Sequence, residues 1–210
     1  EAVTQFQSLA YKELLPAGGP VRTQIIGKVD VTKEDQADRV KEFMNYSLMV
    51  KMKEYEPEFD QMLFNLPLAG STFKKVYYDS IMQRCVSKFI PAEDLVVPYT
   101  ATSLEDAESI THSIRMSENE LLKYQLSGFY SDVDLIPNDP SSTDLTDKKD
   151  RISGVSVGTK DEIFTLLECH CELDLIGFQD TNPQTGEATG LKLPYIVTVD
   201  EDSGTVLSIR

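Results

Sequence analysis

The chain has no tryptophan, only two histidines and three cysteines among 210 residues. Each shortage excludes something. Cys85, Cys169 and Cys171 are an odd set and no disulfide framework, so a reducing compartment fits best. Basic residues are scarce too: 20 Lys and Arg stand against 35 Asp and Glu, a net charge of −15. A polyanion gains nothing from counterion release on a phosphate backbone, and no basic cluster is longer than Lys74-Lys75 or Lys148-Lys149. This argues against a general grip on nucleic acid. No apolar run approaches the ~18 residues of a membrane span, and no signal-peptide pattern is visible at the start. A Gly-rich phosphate cradle is missing, as is a nucleophile with a base nearby.

What is present is scaffold. At 40% hydrophobic and 26% charged, the composition is that of an ordinary soluble globular protein. The length suits one domain, or at most two. The chain opens on Glu1 rather than Met and stops at Arg210, just past the second arm of a hairpin pattern. That reads as a processed product or, in preference, a piece of a longer chain.

Residues 5–15 have the pattern of a short helix, broken by Pro16-Ala17-Gly18-Gly19-Pro20, and residues 21–26 that of a strand. Thr32 looks like an N-cap, with Asp35 as an acidic capping-box variant, opening a long helix over 32–55 that Pro57 prevents from continuing. One stripe of it carries Ala37, Val40, Met44, Leu48, Met52 and Tyr55, which spacing assigns to a core. A second stripe, Phe43, Tyr46 and Val50, lies nearly opposite and needs a partner of its own: the helix over 58–66, a neighbouring subunit, or a segment outside these residues. That second helix should end at Pro67.

Strands follow at 72–79 and 85–90, then at 109–116, where Ile110, His112, Ile114 and Met116 share a face. Ser117 and Glu120 form a capping box for a further helix, stopped at Gly128. Residues 131–158 are a polar, acidic loop and a possible internal boundary within an otherwise single region, 1–210. A long strand over 163–176 puts Ile163, Thr165, Leu167, Cys169, Cys171, Leu173 and Leu175 on one side, and a hairpin closes the chain. Helices lead, strands dominate the remainder and no βαβ alternation appears. The class is α+β, with helices packed on mostly antiparallel strands.

The most metal-like string is Cys169-His170-Cys171. Strand alternation sends His170 to the face opposite both thiols, leaving too few ligands for tetrahedral zinc unless Cys85 and His112 join them. His112, among Ile110, Ile114 and Met116, reads as a core or interface histidine, since a general base needs an orienting carboxylate and a cleft. Asp132, Asp134, Asp139, Asp144, Asp147 and Asp150 lack the spacing of a calcium loop. Lys74-Lys75 beside Tyr77 and Tyr78 reads as an edge-strand guard rather than a nucleic-acid platform. The residues thus imply no catalytic group, no cofactor and no metal. The alternatives are a metal- or thiol-dependent enzyme built around Cys85, His112, Cys169 and Cys171, or an interaction module of an unrelated pathway.

Two long strings carry a resemblance. The segment TQIIGKVDVTKEDQADRVKEFMNYSLMVKMKEYEPEFDQMLFNLPLAGSTFKKVYYD, followed by VSKFIPAEDLVVPYTATSLEDAESITHSIRMSENELLKYQLSGFY, resembles the portal proteins of short-tailed, P22-like phages and prophages. The likeness runs from about Tyr11 to Arg210. It implies the wing-side N-terminal portion of a portal subunit, without stem, clip or crown. A portal is a dodecameric ring at one capsid vertex, the conduit for DNA packaging and ejection. It docks terminase, tail-adaptor and capsid proteins, and genomic DNA passes through it without sequence-specific binding. The resemblance implies a structural, non-enzymatic protein of the virion, assembled in the host cytoplasm.

Overall fold

The computed structural model describes residues 1–137 and 163–210. It divides into two compact units, Glu1–Glu93 and Asp94–Arg210. Both helices and antiparallel sheets are present, so the chain is α+β as its sequence implies. The loop expected over 131–158 falls within the second unit and, from residue 138 onward, outside the described residues.

Helix α1 (Ala2–Leu14) opens the first unit, followed by α2 (Val31–Tyr46), α3 (Tyr55–Ala69) and a hairpin of β1 (Phe73–Asp79) and β2 (Arg84–Ile90). Helix α3 is the centre, packing on α1 on one side and β2 on another. Leu63, Leu15, Val86 and Ile90 are buried around it. Polar tethers fix the arrangement. Arg84 Nη1 donates to Glu54 Oε1 at 2.6 Å, just ahead of α3. Glu58 Oε2 accepts the Phe89 amide at 2.8 Å. The Lys74 ammonium sits 3.9 Å and 4.7 Å from the ring centroids of Tyr55 and Phe59, and losing water there lowers its pKa. Burial works to raise Glu54, but the Arg84 guanidinium and backbone donors outweigh it and hold the carboxyl below its ordinary range.

The continuous helix expected over 32–55 does not form. Asp30, not Thr32, is the N-cap, and its side chain accepts the Val31 amide. After Tyr46 the ladder widens to a π turn, Ser47–Lys51, in which the Met52 amide reaches back to Ser47 at 3.1 Å. Met52 then leaves helical backbone space at φ −89°, ψ 79°. Pro57 does not stop a helix but sits in the first turn of α3, where the missing N–H has no intrahelical acceptor to lose. Pro67 is tolerated in the last turn. The stop comes at Gly70, whose left-handed φ of 79° lets its amide bond Leu66 at 2.9 Å. Residues 21–26 form no strand; the Asn45 side chain takes the Val21 amide and carbonyl that a strand neighbour would need.

The second unit is a five-stranded antiparallel sheet in sequence order: β3 (Leu95–Val96), β4 (Ser109–Ser117), β5 (Ile163–Leu173), β6 (Leu193–Asp200) and β7 (Val206–Ile209). Helix α4 (Glu118–Leu126) leaves β4 through the capping box that the sequence spells. Its Leu121, with Tyr130 and Met116, covers Phe164, Leu166 and Leu207 to make the core. The side of β5 singled out from its alternation is the half-exposed one; Phe164, Leu166 and Glu168 point into the core instead. The strand ends at Leu173, short of residue 176, because Gly177 opens a turn there with a positive φ.

Removing the cap tests the junction of β4 and α4. Ser117→Ala is expected to cost about 1 kcal/mol, read as lost amide-exchange protection in α4. Unchanged protection would show that the capping box carries no weight.

Candidate functional site

Helix α2 sets the geometry of the first unit's surface. Asn45 clasps the preceding loop: Oδ1 accepts the Val21 amide at 2.9 Å, and Nδ2 donates to the Val21 carbonyl at 3.2 Å and to that of Gly18 at 3.4 Å. Helical spacing puts Lys41 and Asp38 on the same side as Asn45, four and seven residues back. Phe43, Tyr46 and Val50 therefore face away from the loop, and all three are exposed, at 62%, 50% and 54%. Val40 and Met44, expected on a core stripe, are exposed beside them. No residue of α2 is buried, so the core assigned to Ala37, Val40, Met44, Leu48, Met52 and Tyr55 is not made here. The reason is the break at Ser47–Lys51, which ends the register that would have carried one stripe down to Tyr55. Nor does α3 cover the other stripe, because its own faces go to α1 and β2. The Lys51 ammonium lies 5.5 Å from the Phe43 ring and 5.7 Å from the Tyr46 ring, edging the patch with a cation.

A second constellation lies on the covered face of the second unit's sheet. Register places His112, Glu168, Thr198 and Ser208 side by side across four strands. Glu168 is 7% exposed. Its Oε1 meets His170 Nε2 at 3.0 Å and its Oε2 meets Arg210 Nη2 at 3.6 Å. The Arg210 guanidinium also lies 4.0 Å over the Phe129 ring. Tyr130, 4% exposed, closes over the row. Burial, then the charge of Glu168 and the neighbouring Tyr124, push its phenol up to about 12, against smaller opposing effects of Arg210 and Thr198. Thr198 is near enough to act on Tyr130, yet its Oγ1 falls short of a full hydrogen bond.

Cys169 and Cys171 lie on the other face, half-buried, and the Thr111 hydroxyl reaches the Cys169 sulfur at 3.5 Å. Burial, then Cys169, raise the Cys171 pKa, which keeps a thiol protonated and unreactive at neutral pH. His112 belongs to the Glu168 face, opposite Cys169. Cys85 is exposed on β2 of the first unit. Among the described residues no three His, Cys, Asp or Glu are grouped to hold a metal ion. No helix there is long and apolar enough to cross a membrane.

No family model matches the chain, and no curated protein matches it.

Sequence reading missed Glu168 and Arg210. The available signal was a lone carboxylate within the otherwise apolar run of residues 163–169, since a charge buried in a strand needs partners. Nothing local announced that Arg210 is one of them.

The raised Tyr130 pKa has a consequence at alkaline pH. A phenol held protonated in the fold contributes stability below its unfolded value of about 10, and this is lost as pH rises from there toward 12. The expected loss is roughly 2–3 kcal/mol over that window, from two pH units at 1.36 kcal/mol each. Tyr130→Phe should flatten this limb in urea titrations at successive pH values. Equal slopes for both proteins would mean that the phenol ionises as freely folded as unfolded.

Proposed function

We propose that the chain is part of the wing of a phage portal subunit, a structural, non-enzymatic element of the ring at the capsid vertex. Its oligomeric partner is a neighbouring copy of the same subunit. The observation that supports this best is the exposed apolar face of α2. Three large side chains, Phe43, Tyr46 and Val50, are presented together in water on a helix pinned from behind by Asn45. Ring closure requires each subunit to offer two different complementary surfaces, and an unpartnered apolar helix face is one such surface. The resemblance of residues 11–210 to P22-like portal proteins supplies the identity of the assembly. On this reading the chain contributes to the conduit for DNA packaging and ejection, and to docking of terminase, tail-adaptor and capsid proteins. The net charge of −15 suits a channel component that must not hold its cargo.

Burying three such side chains is worth about 1.5–3 kcal/mol each. Replacing Tyr46 and Val50 together by Asp in the full-length protein should abolish or strongly weaken ring formation, seen by mass photometry and electron microscopy. The same pair of changes in residues 1–210 should leave the melting temperature within a degree or two, because neither side chain is buried there. Normal rings from the double variant would remove the basis for assigning this face to the interface.

A further inference from the structure

On the opposite side of α2 the clasped loop and the helix border an open groove of about 390 Å³. Gly18, Gly19, Arg22 and Thr23 line it from the loop, and Asp38 and Lys41 from the helix. We infer that this groove binds an acidic peptide segment, taking one Asp or Glu side chain between Arg22 and Lys41. This inference does not rest on the portal reading.

Three observations converge on it. The first is charge. Neither Arg22 nor Lys41 makes an ion pair or a side-chain hydrogen bond with the described residues, although acidic groups outnumber basic ones in the chain. Two cations left without partners at one groove match a carboxylate.

The second is preorganisation. Three hydrogen bonds from Asn45 hold the rim, and the Gly19 amide adds a fourth, to Pro16 at 2.8 Å. Gly19 sits at φ +89°, and a Cβ there would stand 2.4 Å from Asn45 Cγ and Oδ1, so only glycine allows the clasp. A rim fixed before binding avoids the ordering cost that a loose loop would bring.

The third is the lining carboxylate, which selects the kind of anion. Asp38 leaves the groove with a net charge near +1, suited to a singly charged group rather than to an extended polyanion. It also asks for a donor beside that group. A peptide supplies one, since each Asp or Glu carries its own backbone N–H. A phosphodiester has no such donor, and a nucleic-acid strand would bring further negative charge against an already acidic surface. The volume lies at the lower end of ligand pockets, room for a side chain and its flanking peptide groups.

The test uses the 210-residue chain and two-dimensional amide NMR. The probe is acetyl-Gly-Glu-Gly-amide, with the Gln analogue, inorganic phosphate and a ten-residue oligothymidylate as the other arms. Saturable shifts at Gly18, Gly19, Arg22 and Lys41 with the Glu peptide, at least tenfold weaker with the Gln peptide, are expected. Arg22→Ala with Lys41→Ala should abolish saturation without changing the melting temperature, since Arg22 is exposed and Lys41 only half-buried. Asp38→Asn should improve phosphate binding relative to the peptide. No saturable shift at millimolar peptide, equal response to Glu and Gln peptides, or tighter binding of phosphate or oligothymidylate by the unaltered chain would each overturn the inference.

Discussion

An apolar helix face in water needs cover, and the first unit has none left to give α2. Helix α3 already spends one side on α1 and another on β2. The hairpin is held to α3 by Arg84 and Lys74, and so is not available to α2. The π turn at Ser47–Lys51 enforces this separation. Had the ladder stayed α-helical through Tyr55, α2 and α3 would have shared one axis and one stripe. Because it widens and breaks, α3 folds into the core while α2 keeps its own direction, with Phe43, Tyr46 and Val50 outward.

The same helix serves two chemistries on opposite sides. Asn45, Lys41 and Asp38 share the polar side, where the Pro16–Pro20 loop is clasped. The aromatic residues are on the other. These sides do not compete, because residues three, four and seven apart stack on one helix face while those two apart do not. A clasp of three hydrogen bonds made by a single Asn also limits how far α2 can reorient against its loop. Preorganised surfaces lose less on association than flexible ones.

Much of the fold was legible locally and less of it was legible as packing. The capping box of Ser117 and Glu120, the stop at Gly128, the β1–β2 hairpin and the closing hairpin are all short-range signals, and each forms where its residues call for it. The failures are those where a local signal has two meanings. Proline 57 ends a helix or starts one, and only the geometry at Met52 decides. A residue stripe at helical spacing marks a face, but not what covers it; Val40 and Met44 are exposed for want of a partner. Alternation in β5 identified two faces correctly and left open which was inside. Phe164 and Leu166 fill the side under α4, so the thiols took the other. The candidate surface was visible as Phe43, Tyr46 and Val50; the groove behind it depends on Asn45 meeting Val21 across 24 residues, which no periodicity reveals.

The row of His112, Glu168, Thr198 and Ser208 shows how a carboxylate is accommodated on a covered sheet face. A carboxylate in a covered sheet face is costly unless its oxygens are matched. Here both oxygens of Glu168 are engaged, one by His170 and one by Arg210, and the Arg210 guanidinium also lies over the Phe129 ring. Tyr130, buried beside the row, is pushed up to about 12 by burial and by the charge of Glu168. The thiols that might act as nucleophiles lie on the far side of the sheet. The arrangement ties β7, through Arg210, to the middle of β5. β7 is an edge strand joined to the sheet by few ladder residues and a bulge at Thr198/Val199, and the ion pair adds one more tether to it. Glu168 thus links the middle of the sheet to the residue that follows its last strand.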